Sequence, residues 1–280
     1  MTSLRKMDES DIDAALELCR LAGWNQTAAD WRRMLTLAPG GMFVDRRDGR
    51  LVATGSAIHY DTRIGWIGMI LVHPDYRRRG IASAIMQRCI DALREAGVES
   101  IKLDATDQGR PVYLKLGFRD EQLGVRYAGA ISDVRPAASA ARPIHPTDWP
   151  DIARLDEQAF GADRIDLLKH LAGEGPAFVL PGEGGVRAYG FVRPGYHAAS
   201  LGPMVALDEQ AARAVAEALL ADLPQGELYW DVLPNNAAAV RLAESYGLTV
   251  ARRLTRMVLG DTNHVGRTEW IHAAAGFELG

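Results

Sequence analysis

The chain has 280 residues, 48% of them hydrophobic, which is enough to bury one large core or two of ordinary size. Its formal net charge of −4 gives no general attraction to nucleic acid or to an anionic membrane, so any anion site must be local. The N-terminus has no apolar segment of the signal-peptide kind, and no apolar run approaches membrane-spanning length. These features predict a soluble, cytoplasmic protein that binds neither nucleic acid nor membrane.

Two cysteines and scattered histidines argue against a disulfide framework and a metal site. Cys19 and Cys89 lie inside helical patterns, so we expect two small buried side chains in a reducing compartment rather than a disulfide or a catalytic thiol. The histidines have no metal-ligand spacing, and no metal is predicted.

The first half of the chain alternates strands and helices. Ser10 is predicted to cap the first helix, and Thr27 the second, with Asp30 completing a weaker form of the capping box. Asp48-Gly49 is a strong hairpin signal between two apolar strands. The predicted elements are strands at 4–7, 42–44, 51–60, 64–72 and 101–103, helices at 10–21 and 80–95, a helix that Thr27 caps, a short helix near Tyr113, and two closing strands.

The second half repeats this order after a segment rich in Ala, Ser and Pro. That segment, 132–142, is predicted to be a linker. It separates an N-terminal domain at 1–131 from a C-terminal domain at 143–260, which is followed by a tail at 261–280. Each domain is expected to be α/β, with a mixed, mostly antiparallel twisted sheet flanked by helices. A single domain of this length is the alternative.

A candidate anion site follows the strand at 64–72. Arg77–Arg79 and Gly80 open a helix, whose first amides have no partner within the helix and carry partial positive charge. Gly80 lacks a Cβ, so a diphosphate could approach the backbone closely, and Ala82 keeps the next position small. The alternative is a solvated charge run at an ordinary turn. Arginine is unfavourable in a first helical turn unless an anion is bound, which favours the anion site.

The segment Arg77-Arg78-Arg79-Gly80-Ile81-Ala82 resembles the acyl-CoA signature of the GNAT acetyltransferase superfamily, Gln/Arg-x-x-Gly-x-Gly/Ala. The preceding segment, IGMILVHPDYR, is similar to that family's cofactor strand. The resemblance covers the first half and, more weakly, the second, and it implies two tandem GNAT-like domains that use acetyl-CoA. It implies that main-chain groups of Leu71 and Val72 bind the pantetheine arm and that amides from Arg78 to Ser83 hold the pyrophosphate. The predicted cofactor-binding residues are Leu71, Val72, Arg77, Arg78, Arg79, Gly80, Ile81, Ala82 and Ser83.

Downstream, Tyr113, Gly117 and Phe118 match a second pattern that is frequent in GNAT enzymes, while Thr106 and Gly109 replace its Asn and Ala. This resemblance implies that Tyr113 is the general acid that protonates the leaving thiolate. A phenol with a pKa of about 10 is protonated at neutral pH and can donate. The alternative is a ring packed on Phe118 with its hydroxyl in water.

The general base and the acceptor residues are less defined. The strand at 64–72 carries no carboxylate, so Asp104 at the end of the next strand is one candidate base, unless it caps a helix, and Asp30 with a water chain is another. The segment 23–31 lies where GNAT folds line the acceptor side, which makes Trp24, Asn25 and Asp30 candidate substrate residues. In the alternative, this segment is only a capped helix start whose second tryptophan enters the core.

The second half lacks the cofactor features of the first. Asp208 and Glu209 stand at the corresponding helix start, where they would repel a diphosphate, and Ala243 takes the place of Tyr113. This pattern resembles tandem GNAT proteins with a degenerate second domain, which implies a structural role or a part in the acceptor pocket. Arg256 could point into that pocket or lie on the surface. The tail is expected to pack back on one domain.

Together these features predict an acetyl-CoA-dependent N-acetyltransferase that acts on a primary amine, with a small-molecule acceptor favoured, by direct attack on the thioester. The alternatives are a non-catalytic acyl-CoA-binding or sensing module, and a protein or peptide N-acetyltransferase. The acceptor, the acyl-chain preference and the oligomeric state stay open.

Overall fold

The computed structural model describes residues 3–131, 139–263 and 266–280. They form two compact units. The first unit contains Met1–Asp120, Met257–Thr262 and Glu278–Gly280, and the second contains Glu121–Arg256 and Asn263–Phe277. Most of the predicted linker, 132–138, lies outside the described residues. Within the described ranges, no helix is long and apolar enough to cross a membrane.

The first unit is a sheet with helices on its faces. Its elements are β1 (Ser3–Lys6), α1 (Ile12–Leu21), α2 (Ala28–Leu37), β2 (Met42–Arg47), β3 (Arg50–Tyr60), β4 (Ile64–Val72), α3 (Ile81–Glu95), β5 (Ser100–Ala105) and α4 (Arg110–Lys115). The strand order is β1-β2-β3-β4-β5. These strands pair antiparallel except for β4 and β5, which are parallel at Ile64–Trp66 and Ser100–Lys102. This mixed, mostly antiparallel sheet confirms the predicted fold class.

Helix α3 covers one face of this sheet with an apolar stripe. Ile85, Met86 and Cys89 are at most 1% exposed and pack with Phe118 and Met257 in one core cluster. Both cysteines are free and buried, as predicted. Burial raises the pKa of Cys19 to about 12 and raises that of Cys89 further, so both thiols stay neutral.

The helix caps are only partly as predicted. Thr27 and Asp30 form the expected capping box at α2. Ser10, in contrast, lies inside a short 3₁₀ turn, Glu9–Asp11, that precedes α1. The cap of that turn is Asp8, whose carboxylate accepts the Ser10 amide at 2.9 Å. The prediction for Ser10 was wrong because the shorter turn moves the cap two residues towards the N-terminus.

The second unit is also a mixed sheet flanked by helices. Its elements are β6 (Arg119–Ile131, from Glu121 onward), β7 (Arg142–Pro143), α5 (Trp149–Phe160), α6 (Ile165–Ala172), β8 (Ala177–Gly182), β9 (Gly185–Arg193), β10 (Ala199–Ala206), α7 (Glu209–Ala221), β11 (Gly226–Val232), α8 (Ala237–Ser245), β12 (Thr249–Gly260, as far as Arg256) and β13 (Ile271–Ala273). The strand order is β6-β11-β10-β9-β8-β7.

The unit boundaries differ from the predicted domain ends at two places. Residues 125–131 of β6 pair antiparallel with Gly226–Val232, so this strand belongs to the second unit although 1–131 was predicted as one domain. The end of β12, from Met257 onward, belongs to the first unit. The tail was expected on one domain, but Asn263–Phe277 lies in the second unit and Glu278–Gly280 in the first.

Candidate functional site

Strand β4 contains a bulge that lies after the residues with which it pairs with β5. Thr54 faces Leu71 and Ser56 faces Gly68, so Met69 and Ile70 together oppose Gly55. Met69 has φ +53°, and its carbonyl accepts a 2.7 Å hydrogen bond from the buried Thr54 hydroxyl. The residues after Trp66 extend beyond the parallel pairing with β5. The bulge therefore turns main-chain groups of β4 towards an open edge between the two strands.

The predicted anion cup lies in the backbone that follows β4. Arg78 and Gly80 have left-handed φ values of +61° and +78°, and α3 starts at Ile81. The Ala84 amide makes the first bond along the helix, to the Gly80 carbonyl at 3.1 Å. The amides of 81–83 therefore have no partner within the helix. The first turn of α3 contains no acidic residue, so the positive end of the helix dipole is not offset there.

Gly80 is required by the backbone rather than by neighbouring protein atoms. A Cβ built at Gly80 meets no described atom within 4 Å, whereas its φ of +78° favours glycine. Gly80 and Ser83 are exposed, and Ala82 is half-buried. The cup is therefore open to solvent.

Two of the three arginines shape the turn. Arg77 Nε donates to the Val72 carbonyl at 3.1 Å. One terminal nitrogen of Arg79 donates to the Asp75 carbonyl at 2.8 Å, and the guanidinium lies 5.2 Å from the centre of the Tyr76 ring. Arg78 is exposed. A guanidinium has five N–H donors, so each of these side chains retains donors for an anion.

Leu71 and Val72 lie at the end of β4, with one edge towards β3. Leu71 pairs with Thr54 and Val72 with Ala53. Their other edge lies on the β5 side, beyond the parallel pairing. Main-chain groups on that edge are placed where an extended ligand could add to the sheet.

Tyr113 on α4 is buried and points its ring at Phe118. The ring centres are 6.2 Å apart, and Tyr113 is 9% exposed. Burial raises the pKa of Tyr113 to about 12, and the neighbouring Cys89 adds to the shift. The phenol is therefore protonated at neutral pH. The ring packs on Phe118, as the alternative interpretation proposed, and the hydroxyl has no hydrogen-bond partner among the described residues.

The two departures from the family pattern have local physical reasons. The Thr106 hydroxyl accepts the Gly109 amide at 3.1 Å and so starts the turn into α4. A Cβ at Gly109 would lie 2.9 Å from Tyr113 Cε2 and 3.0 Å from its hydroxyl oxygen. Glycine at 109 thus leaves room for the phenol.

The remaining candidate residues are not all brought into the site. Asp104 lies near the end of β5 and is half-buried, and it does not cap α4, whose first amides are bonded by Thr106. Asp30 is 3% exposed, and its carboxylate accepts from the Thr27 amide at 2.7 Å and from Arg33 at 2.5 Å. Both Asp30 oxygens hold the start of α2, so we drop this residue as a substrate or base candidate.

Two candidate substrate residues remain in the loop before α2, Trp24 and Asn25. Trp24 is half-buried, and Asn25 is 7% exposed. Trp31, in contrast, is fully buried in the core, as the alternative interpretation of this segment proposed. Over the described ranges, no group of three or more His, Cys, Asp and Glu side chains could hold a metal ion.

The corresponding helix start in the second unit already carries a carboxylate. Asp208 caps α7 and accepts the Ala211 amide at 2.8 Å, and it also pairs with Arg187. The backbone bond from Ala211, above all, lowers the pKa of Asp208, so its carboxylate is ionised at neutral pH. A carboxylate thus stands at this helix start, as the sequence predicted.

The second unit also fills the space between its diverging strands. β10 pairs with β11 in parallel at Ala199–Leu201, and beyond that point β13 pairs with β10 at Met204 and Val205. Two side chains donate to main-chain carbonyls of β13. Trp230 Nε1 donates to the His272 carbonyl at 2.8 Å, and Asn236 Nδ2 donates to the Ile271 carbonyl at 3.0 Å. A segment of the tail thus lies beside β10 past the parallel pairing, whereas on the β5 side of β4 no strand of the described residues pairs past Trp66.

Sequence reasoning missed the end of the tail. The Tyr60 hydroxyl donates to the Leu279 carbonyl at 2.7 Å, and Leu279 is fully buried. Glu278 is 5% exposed and packs against Gly68 of β4. The one available signal was the apolar character of the last ten residues, IHAAAGFELG, which contain a single carboxylate side chain.

Comparison with known proteins identifies the family. Residues 11–118 match the model of the Acetyltransferase (GNAT) family, and residues 152–273 match that of an Acetyltransferase (GNAT) domain. A glucosamine 6-phosphate N-acetyltransferase from Trypanosoma brucei brucei is 30% identical over 137 residues, which are 44% of this chain and 92% of that protein.

Two further comparisons extend over more of the chain. The uncharacterized N-acetyltransferase YitH of Bacillus subtilis (strain 168) is 26% identical over 170 residues, 60% of this chain and 59% of YitH, so the match spans less than two thirds of that relative. A putative acetyltransferase from Pyrococcus horikoshii has the same fold, with a TM-score of 0.86 at 22% identity over 100% of this chain and 96% of that one. The chain therefore belongs to the GNAT family, as an acyltransferase with two tandem GNAT domains.

Proposed function

We propose that the first unit transfers the acetyl group of acetyl-CoA to a primary amine of a small molecule. The observation that carries this proposal is the junction of β4 and α3. There, the edge of β4 that no longer pairs with β5 is followed by Gly80, which has a left-handed φ. The next three amides, those of 81–83, have no hydrogen-bond partner within α3. One extended ligand that ends in a diphosphate fits both features.

The cofactor is divided between these two features. Main-chain groups of Leu71 and Val72 bind the pantetheine arm along the open edge, as an added strand would. Amides from Arg78 to Ser83 hold the pyrophosphate, and the remaining donors of Arg77 and Arg79 add charge-assisted hydrogen bonds. The thioester then lies near the bulge at Met69.

The reaction is direct attack on the thioester. The nitrogen of the neutral amine forms a bond to the carbonyl carbon, and main-chain N–H groups at the bulge stabilise the tetrahedral oxyanion. The carbon–sulfur bond then breaks, and the CoA thiolate takes the proton of the Tyr113 phenol. Burial keeps that proton in place because it raises the pKa of Tyr113 to about 12.

A small-molecule acceptor is supported by one relative. The trypanosomal protein, by its name, acetylates glucosamine 6-phosphate, and it is matched over 92% of its length. Trp24 and Asn25 are the proposed acceptor-side residues of this chain. The part played by the second unit stays a prediction.

One acetyl-CoA is expected to bind per chain. The cup and the open edge occur in the first unit, whereas Asp208 and β13 occupy the corresponding positions of the second. Isothermal titration calorimetry with acetyl-CoA measures this stoichiometry. Two sites would contradict the role of β13, and no binding would contradict the proposed function. If CoA binds but no amine in a chemically broad panel is acetylated, the sensing alternative replaces the enzyme.

Gly109→Ala is expected to lower kcat by about tenfold to a hundredfold without changing the Kd for acetyl-CoA. The added methyl group collides with the Tyr113 ring and hydroxyl and displaces the proton donor by a fraction of an ångström. Steady-state kinetics and calorimetry separate the two quantities. Gly184→Ala is the control, because a Cβ at this exposed glycine meets no atom of the described residues within 4 Å. An unchanged kcat in Gly109→Ala would show that the phenol position does not matter.

A further inference from the structure

The end of the tail lies directly on the catalytic strand of the first unit. A Cβ at Gly68 would be 2.8 Å from the Glu278 carbonyl oxygen and 3.0 Å from the Glu278 Cα, so glycine at 68 permits this close contact. Tyr60 fixes the next residue, with its hydroxyl 2.7 Å from the Leu279 carbonyl oxygen. Gly68 directly precedes Met69, the left-handed residue of the bulge. Residues 278 and 279 therefore lie against β3 and β4, next to the bulge at which the thioester is proposed to lie.

The main chain of Glu278 lies against a strand that has no carboxylate of its own, and the Glu278 side chain is buried. The residue is 5% exposed, and β4 contains no Asp or Glu. Its carboxylate lies within electrostatic range of Cys19 on α1. On α1, burial above all raises the pKa of Cys19, and the carboxylates of Asp30 and Glu278 raise it further. On α2, Asp30 is neutralised by its ion pair with Arg33.

We propose that Glu278 is the general base of the acetyl transfer. This inference rests on the proposed function of the first unit. The other carboxylates considered are less suited: Asp30 is bonded through both oxygens to its own helix, and Asp104 is on β5. The main chain of Glu278 contacts β4 at Gly68, one residue before the bulge, and its side chain is buried.

The proton balance of the reaction requires such a group. A primary amine is protonated at neutral pH and has no lone pair for attack. The acceptor ammonium gives one proton to the Glu278 carboxylate, and the freed lone pair forms the carbon–nitrogen bond. Tyr113 supplies a proton to the departing CoA thiolate. The nitrogen loses its second proton to restore the phenol, and Glu278 releases its proton to solvent, so the products are the amide, CoA and one proton.

The test compares Glu278→Gln with Glu269→Gln, an exposed glutamate of the same tail. We expect Glu278→Gln to lower kcat/KM for the amine about 10²- to 10⁴-fold near pH 7. Glu269→Gln is expected to match the wild type. The Kd for acetyl-CoA, measured by calorimetry, should be unchanged in both variants because the cup lies at the start of α3.

The pH profile separates a base from a structural anchor. Without a base, the acceptor ammonium must lose its proton to solvent before it binds. The ratio of wild-type kcat/KM to that of Glu278→Gln should therefore fall as pH rises from about 7 to about 10, towards the pKa of the amine. A deficit that stays constant with pH overturns the proposal, as does wild-type activity of Glu278→Gln. If the loss in kcat/KM shrinks with rising pH in Asp104→Asn but not in Glu278→Gln, Asp104 is the base instead. If the wild type acetylates no amine, the proposed function fails instead.

Discussion

Replacing Tyr113 with phenylalanine is expected to lower kcat about 10²- to 10⁴-fold, the usual contribution of a general acid, while the Kd for acetyl-CoA stays the same. The substitution removes one oxygen and keeps the ring that packs 6.2 Å from Phe118, so the fold of this region should be retained. The hydroxyl has no hydrogen-bond partner among the described residues whose loss would change stability. Stopped-flow or steady-state detection of free CoA measures the effect.

The pH dependence of the wild type follows from the same group. Burial raises the pKa of Tyr113 to about 12, so the protonated, active form persists below that pH. The rate should therefore show no alkaline loss from this residue until pH approaches 12.

Tyr246→Phe is the matched control for Tyr113→Phe. Tyr246 lies in the second unit and is half-buried. Burial raises the pKa of Tyr246 to about 12, as it does for Tyr113. It lies outside the proposed site, so kcat should not change. Equal losses in the two variants, or no loss in Tyr113→Phe, would remove Tyr113 from the mechanism.

Gly80→Ala is expected to weaken acetyl-CoA binding by about tenfold to a hundredfold, which corresponds to about 1.4 to 2.8 kcal/mol. Alanine at φ +78° is strained, and relief of that strain would rotate the amides that precede the first helical bond of α3. The added methyl group also occupies the open space above those amides. Calorimetry with acetyl-CoA measures the loss.

Gly97→Ala separates this loss from general destabilisation. Gly97 lies just beyond the other end of α3 with φ +76°, and a Cβ there also meets nothing within 4 Å in the part of the chain that the structure describes. Both variants should lose a similar amount of thermal stability, about 1 kcal/mol, because the strain is the same. Only Gly80→Ala should bind acetyl-CoA more weakly. Equal affinities for the two variants would place the pyrophosphate elsewhere.

The parts of the fold that depend on short-range signals could be predicted. The capping box at Thr27 and the hairpin at Asp48-Gly49 are each fixed by residues within a few positions of one another. The cup is equally local, because the strand end, the turn and the start of α3 follow directly in the chain. The sequence therefore predicted where unpaired amides would be exposed, although the left-handed φ of Arg78 came only from the structure.

The parts that depend on long-range pairing could not be predicted. β6 pairs with β11, about 100 residues away in sequence, and no local pattern distinguishes this partner from a strand of the first half. The same holds for β13, whose three residues pair with β10. The contact of Glu278 with Gly68 joins residues more than 200 positions apart.

Asp30 shows a different limit of sequence reasoning. Its position three residues after Thr27 predicted a capping role, and its place in the acceptor-side segment predicted a substrate role. Both interpretations use the same carboxylate. The structure decides between them because Arg33, one turn later on α2, takes the oxygen that the cap leaves over. An ion pair of this kind is visible only once side-chain geometry is known.

The central claim is that the amides at the start of α3 hold the pyrophosphate of acetyl-CoA, and a crystal structure of the complex tests it most directly. The account predicts pyrophosphate oxygens within about 3.2 Å of amides among 81–83. It also predicts the pantetheine arm along Leu71 and Val72, and no second cofactor beside β10. A complex with the pyrophosphate on any other part of the chain would contradict it.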